Sequence, residues 1–317
     1  MDNSTFFQSN NVNEKPNLTR QPDFEEFWRT RIEESTKQLL NIEVNKRAYW
    51  IEGLEVSDVS FNGFRNSRIH AVYIRPKRTT QKVPAAVVFH GYNWNTLQPH
   101  QMFKYAIQGI PILLVEVRGQ NIKSSDNNGY PYGGSAGWMT LGIHSPDDYY
   151  YSYVYMDAYR SVDVLRALSK KSVVLVDGSS QGGALAAVTA ALQTQICAAF
   201  VDIPFLAAIH ESINLATEGP YQEINHYFQV HDPLHKTRND VLKTLSYVDC
   251  LNFASYITCP TLVGVGLKDV TCPSPGTLAF YQHLSARKDI RIYPEYGHEL
   301  PPIHDEEKLA FLAGYLL

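Results

Sequence analysis

The 317-residue sequence predicts an α/β doubly wound fold, a mostly parallel sheet with helices on both faces. Three observations carry this. Short unbroken apolar runs recur along the chain from Val83 onward: AAVVFHG, PILLVEVRG, SVVLVDGSSQGG, CAAFVDIP and PTLVGVGLKD. Runs without apolar/polar alternation are expected of parallel strands buried on both faces. Helical stretches separate several of them, at residues 151–169 and, rich in alanine, 183–193; strand alternating with helix implies this layering. The composition, 44% hydrophobic and 19% charged, is that of an ordinary globular domain.

Taken in order, residues 1–21 read as a flexible polar arm. A helix is predicted from Asp23 to about Leu40, with Phe24, Phe27, Trp28, Ile32 and Leu39 on one stripe. VNKRAYWIEG (44–53) and NSRIHAVYIRP (66–76) read as a half-buried antiparallel pair bridged by SDVSFNGF (57–64). Residues 22–317 are expected to form a single domain. Two stretches break the alternation. Residues 121–150 are rich in Gly, Ser, Asn, Asp and Tyr. Residues 204–256 look helical and polar, interrupt the sheet between two core strands, and read as a cap-like insertion above the carboxyl ends of the strands, where open α/β sheets bind ligands.

Composition also excludes partners. A net charge of −4, from 28 basic and 32 acidic residues, argues against nucleic acid or an anionic membrane surface, which require concentrated positive charge. The four cysteines, Cys197, Cys250, Cys259 and Cys272, show neither disulfide-framework nor zinc spacing and read as buried free thiols. With no apolar leader at the N-terminus and no transmembrane run, the expected location is cytoplasmic.

The chemistry centres on Gly178-Ser179-Ser180-Gln181-Gly182. It follows the apolar run 173–176 and opens the alanine-rich helix. Strand, tight turn, helix is the context that a G-x-S-x-G elbow requires, and it marks Ser180 as the nucleophile of an α/β-hydrolase fold. A serine hydroxyl needs an adjacent base. In this fold the order is serine, acid, histidine. His298 follows the last strand-like run, 290–293. Asp269 ends PTLVGVGLKD, in the loop where the acid belongs; Asp249, Asp202 and Asp177 are rivals. The two main-chain oxyanion donors fall on Gln181, after the nucleophile, and on Tyr92, after AAVVFHG.

Three motifs occur in order: Arg118-Gly119-Gln120, Gly178-x-Ser180-Gln181-Gly182-Gly183 and His298-Glu299. Together they resemble the acetyl xylan esterase and cephalosporin C deacetylase family, carbohydrate esterase family 7. The resemblance runs from about Asp23 to the C-terminus and includes GWMTLGI, VDIPFL and GLKDVTCPSP. It implies Ser180, Asp269 and His298 as triad and Tyr92 and Gln181 as oxyanion donors. It also implies deacetylation of acetylated xylo-oligosaccharides, other small sugar acetates and cephalosporin C, without cofactor or metal. A homohexamer is implied as well, with residues 121–150 in subunit contacts. The chain departs from the pattern at Glu116, where aspartate is usual, and at Asn121, where glycine is common.

Arg118, Gln120 and Glu299 are expected to support the site rather than react. Of the eight tyrosines between Tyr130 and Tyr159, Tyr151, Tyr155 and Tyr159 share a helical face suited to core or interface. His226, His231, Asp232 and His235 lack a metal-site spacing and read as solvated or capping. Two alternatives stay open: a peptidase or amidase on the same fold, and a non-catalytic binding protein that kept it.

Overall fold

A computed structural model describes residues 16–80, 82–94, 98–130 and 137–316. The fifteen residues before Pro16, most of the predicted arm, and residues 131–136 of the predicted interface insertion lie outside the described residues.

Nine strands form one sheet in the order β1-β2-β3-β5-β4-β6-β7-β8-β9. They are β1 (Glu43–Arg47), β2 (Leu54–Asn62), β3 (Arg68–Pro76), β4 (Ala85–Phe89), β5 (Ile112–Val115), β6 (Val174–Ser179), β7 (Ile196–Asp202), β8 (Thr261–Gly266) and β9 (Lys288–Tyr293). From β5 across to β9 all neighbours are parallel, and β4, β5 and β8 are buried along their whole length. The unbroken apolar runs are therefore the core strands, and the protein has the α/β-hydrolase fold.

The described helices are α1 (Phe24–Thr36), α2 (Phe103–Ala106), α3 (Tyr150–Ser169), α4 (Gln181–Leu192), α5 (Ile209–Leu215), α6 (Tyr221–Val230), α7 (Arg238–Ser246), α8 (Ser274–His283) and α9 (Ile303–Leu316). Side chains alternate across a strand, so each central strand feeds two cores. Val87, Phe89, Val176 and Val201 meet α3 and α4 on one face. Ala86, Val88, Leu175 and Phe200 meet α2 and α9 on the other. Among the described residues no helix is long and apolar enough to cross a membrane, and all four cysteines are unpaired.

The N-terminal strands differ from the sequence expectation. Residues 57–62, read as a bridge, are most of β2, which pairs antiparallel with β1 on one side and β3 on the other. The expected partners 44–53 and 66–76 do not touch as a pair, and β1 stops at Arg47. Val59 and Phe61 of β2 are buried while Asp58, Ser60 and Asn62 are not. Alternation with turn-forming polar residues disguised the strand. Helix α1 ends at Thr36, which leaves Leu39 75% exposed rather than on the buried stripe. At that end the buried Arg160 guanidinium donates to Ser35 O (2.6 Å) and Leu39 O (3.2 Å), satisfying carbonyls the helix leaves open.

Residues 16–21, the end of the predicted arm, are pinned. The Thr19 N–H donates to Asn252 Oδ1 (3.1 Å), and Arg20 Nε donates to Asn252 O (2.7 Å) with its guanidinium 4.5 Å above the Tyr256 ring. Between β7 and β8 the chain forms α5, α6, α7 and a 3-10 turn, Cys250–Tyr256, the helical insertion expected over 204–256. Strand order reverses at β4, with β5 on one side and β6 on the other. That places the loops after β4 and β6, which carry Tyr92 and Ser180, at the switch point where such sheets hold ligands.

Candidate active site

Ser180 lies between β6 and α4 with φ 59° and ψ −121°, a left-handed backbone that ordinary residues avoid. Close packing enforces the turn. A Cβ on Gly178 would meet Gly182 O at 2.1 Å, and one on Gly182 would meet Phe89 O at 2.3 Å. The glycines let the strand, the turn and the helix approach this closely. The Ser180 N–H is tied to Asp202 O (2.9 Å), and Ser180 O accepts from the Phe205 N–H (3.0 Å). The strained residue is thus fixed from both sides.

His298, in the loop after β9, puts Nε2 2.9 Å from Ser180 Oγ. Its Nδ1 is 2.8 Å from Asp269 Oδ2. The other carboxylate oxygen of Asp269 accepts from the Thr271 N–H (2.9 Å) and the Cys272 N–H (2.7 Å). That arrangement favours an imidazole carrying its proton on Nδ1 and presenting Nε2 to the serine hydroxyl. The three side chains, 89 or fewer residues apart in successive steps, converge over the carboxyl ends of β6, β8 and β9. The cavity above them is about 510 Å³ and is lined by Tyr92, Trp94, Ile203, Pro220, Thr271 and His298, among others.

Gln181 is the first residue of α4, whose leading N–H groups have no intrahelical acceptor. Tyr92 follows β4 beside it. Gln120 connects the two. Its Nε2 donates to Gln181 Oε1 (2.8 Å), its Oε1 accepts from Gln181 Nε2 (3.0 Å), and the same oxygen accepts from the Asn93 N–H (3.0 Å). Tyr151, on the tyrosine face of α3, donates its hydroxyl to Gln181 Oε1 (2.8 Å). Tyr150 and Tyr155 are also fully buried and donate to Arg118 O (2.5 Å) and Val248 O (2.6 Å). Tyr151 and Tyr155 of the predicted face are core and their hydroxyls brace Gln181 and Val248, while Tyr159 is only partly buried.

Arg118 is fully buried. It makes a bidentate pair with Asp157 (2.6 and 2.7 Å) and donates to Phe64 O (2.9 Å). Burial is the largest single effect and acts to lower the guanidinium pKa, but the charge and hydrogen bonds of Asp157, with Asp126 and Tyr130, together outweigh it and the net shift is upward. Arg118 touches neither Ser180 nor His298 in these bonds; it anchors its loop to α3. Glu299 is exposed and joins none of this cluster.

Three residues here escaped sequence reasoning. Glu223 of α6 accepts the Tyr92 hydroxyl on Oε1 (2.6 Å) and the Met139 N–H on Oε2 (2.9 Å). Burial raises its pKa, and burial followed by Glu223 itself drives the Tyr92 phenol well above its usual range. Nothing local in the sequence points to Glu223. His90 is held neutral by burial. Its Nδ1 lies 2.7 Å from Gly91 O, and its Nε2 accepts from the Val117 N–H (2.9 Å). Asp157 did leave a signal: a carboxylate on the buried tyrosine face of a helix requires a cation.

The rival acids are engaged elsewhere. Asp202 and Asp177 share Lys308 (2.5 and 2.7 Å), Asp202 also takes His304 Nε2 (2.7 Å), and Asp177 takes the Tyr105 hydroxyl (2.6 Å). Asp249 accepts the N–H groups of Ala208, Ile209 and Leu251. Asp232 accepts two N–H groups and the Thr237 hydroxyl at the start of α7, a capping role.

The family model described as acetyl xylan esterase (AXE1) matches residues 11–315. The chain belongs to the acetyl xylan esterase family. This is a family of carboxylic ester hydrolases. An acetyl xylan esterase from Paenibacillus sp. R4 superposes with a TM-score of 0.93 at 36% identity, covering 100% of both chains. Acetyl xylan esterase 1 from Thermoanaerobacterium sp. JW/SL YS485 gives 0.91 at 29% identity, covering 100% of this chain and 99% of that one. The acetyl esterase Axe7A of Xylanibacter ruminicola is 27% identical over 294 residues, 90% of this chain. The chain spans 65% of the length of that curated relative.

Proposed function

We propose that the protein is a serine esterase that removes acetyl groups from acetylated xylo-oligosaccharides, other small sugar acetates and cephalosporin C through an acetyl-enzyme. The observation that carries this reading is the continuous hydrogen-bonded line from Ser180 Oγ through His298 to Asp269. Ser180 attacks the acetyl carbonyl carbon as His298 Nε2 takes its proton. The main-chain N–H groups of Tyr92 and Gln181 hold the developing oxyanion; one such donor typically contributes a factor of ~10²–10³ in rate. Asp269 fixes the imidazole tautomer and stabilises its charged form. The tetrahedral adduct collapses, the bond between the acetyl carbonyl carbon and the alcohol oxygen breaks, and His298 gives its proton to that departing oxygen. Water then repeats the cycle on the acetyl-serine and releases acetate. Arg118 and Gln120 act by position. No step needs a cofactor. The family resemblance supports a cytoplasmic homohexamer, with residues 121–150 in its contacts.

Labelling with a fluorophosphonate probe tests the nucleophile: it is expected in the native protein and absent in Ser180→Ala. We propose that Ile203, Pro220 and Thr271 beside Ser180 limit the acyl group to about an acetyl. Turnover of p-nitrophenyl acetate is then expected to exceed that of the octanoate, and the reverse order overturns the acyl limit. Faster cleavage of an aminoacyl anilide than of any acetate would transfer the reading to a peptidase.

A further inference from the structure

A second and larger cavity, about 680 Å³, adjoins the catalytic one. Trp94 lines both, so a molecule seated on Ser180 has a path past the indole. The Trp94 side chain is 63% exposed. An aromatic face open to water at the junction of two cavities is what the apolar face of a pyranose ring packs against.

Arg47, His70, Glu116 and Lys123 line this cavity, and Asp58 behind them ties the three basic groups together. Asp58 takes Arg47 Nε at 3.2 Å, His70 Nε2 at 2.9 Å and Lys123 Nζ at 3.3 Å. His70 Nδ1 stands 3.0 Å from Glu116 Oε1. Arg47 above all, then His70 and Lys123, hold the Asp58 carboxyl well below the usual carboxylate range against the opposing effect of burial. The cations that line the cavity, Arg47 and Lys123, are therefore already paired with Asp58, and the lining imidazole of His70 stands between Asp58 and Glu116. The balance gives a phosphate or a polyanion no surplus of positive charge, while donors and acceptors stand side by side as a polyhydroxyl ligand requires. His100 and Gln101 add further polar groups on the cavity wall. The volume falls within the roughly 300–1,000 Å³ of small-molecule sites. The wall is also joined to the catalytic loop, because Asn121 Nδ2 lies 3.1 Å from His90 Nε2.

We infer that this cavity is a subsite for a neutral oligosaccharide, binding the pyranose units beyond the one whose acetyl group is cleaved. The inference rests on the proposed esterase reading and deepens it. The test uses the full chain. In the first arm, kcat/KM is measured for acetylated xylotetraose and for p-nitrophenyl acetate, and their ratio is compared between the native protein, Trp94→Ala, Trp94→Phe and His100→Ala. The ratio is expected to fall about tenfold in Trp94→Ala, the equivalent of one lost ring contact, and to recover in Trp94→Phe. It is expected to fall less in His100→Ala, through KM. An unchanged ratio in every variant, with both substrates turned over by the native protein, overturns the subsite and leaves the esterase reading standing. In the second arm, unacetylated xylotetraose is titrated into Ser180→Ala and followed by tryptophan fluorescence. This arm needs no catalysis. Saturable quenching, with the same titration followed by calorimetry losing its binding heat when Trp94→Ala is added, supports the subsite, and the absence of saturable binding overturns it whatever the esterase assay gives.

Discussion

Replacing Tyr92 by phenylalanine separates what its main chain does from what its side chain does. In the proposed reaction the residue acts through its N–H, which the substitution keeps. The phenol, however, donates to Glu223 at 2.6 Å and accepts the Trp138 N–H at 2.8 Å. Removing the oxygen costs a hydrogen bond to a carboxyl group, about 1.5–3 kcal/mol when that group is charged, and leaves a main-chain donor without its acceptor, about 1–3 kcal/mol more when buried. Both sites are only partly buried, and water recovers some of this, so the expected destabilisation is about 2–4 kcal/mol. For a domain of this size that is a fall in Tm of about 4–8 °C. The reaction is expected to slow by no more than about tenfold, because the oxyanion donor shifts with its loop but is not removed; loss of the donor outright would cost ~10²–10³. Thermal melts and p-nitrophenyl acetate kinetics on the same preparation read both quantities. An unchanged Tm would show that the Glu223 tether holds nothing. A thousandfold loss of kcat with an unchanged Tm would show that the phenol itself serves the oxyanion.

Other substitutions test the remaining parts. Asp269→Asn places an amide against His298 Nδ1 and favours the wrong tautomer; kcat for p-nitrophenyl acetate is expected to fall about 10⁴-fold with little change in Tm. Gly182→Ala drives a methyl group into Phe89 O, so urea unfolding is expected to show a loss of about 1–3 kcal/mol, with kcat reduced because the elbow must shift. Arg118→Lys loses the bidentate geometry toward Asp157 and is expected to lower stability in the same assay by about 1–3 kcal/mol. Lys308→Met strips the cation from Asp177 and Asp202, at a cost of about 3–5 kcal/mol near neutrality. The pH dependence follows from Asp202. Burial acts to raise its pKa, but the Lys308 and His304 charges outweigh burial and depress it. A depressed carboxyl contributes stability above its unfolded pKa of about 3.9 and loses it as pH falls through the lower folded value. Native stability is therefore expected to decline below about pH 4, while the Lys308→Met deficit shrinks toward that pH as the carboxyls protonate. A deficit that is constant from pH 4 to 8 would refute the role given to Lys308.

What the sequence made legible is what local rules control. The core strands β4 to β8 announce themselves because burial on both faces makes each a short, mainly apolar run, with the charged residues Asp177 and Asp202 only toward the carboxyl ends of β6 and β7. Ser180 is legible because the elbow is a contiguous strand, turn and helix whose glycines have a steric cause. Asp269 and His298 follow from their order along the chain. Strand β2 was lost because Ser57, Asp58, Ser60 and Asn62 have the composition of a turn, and only pairing with β1 and β3 on both edges makes them a strand. Glu223 and Lys308 were lost for a different reason. Each is an ordinary charged residue of a helix, and its meaning lies in a partner 131 residues away.

The same distinction explains why Arg118-Gly119-Gln120 belongs to the site without reacting. An oxyanion hole is two main-chain N–H groups on separate loops, and no local sequence rule sets the distance between them. Here one Gln120 amide holds both the Gln181 side chain and the Asn93 N–H, next to Tyr92, and so ties the loops of the two proposed donors together. Arg118 fixes the loop that carries Gln120 to Asp157 of α3, and Tyr151 of the same helix reaches Gln181. The distance between the two donors is thus referred to a single rigid body, the buried face of α3. The helical insertion reaches the same loop from the other side, through Glu223 to the phenol of Tyr92.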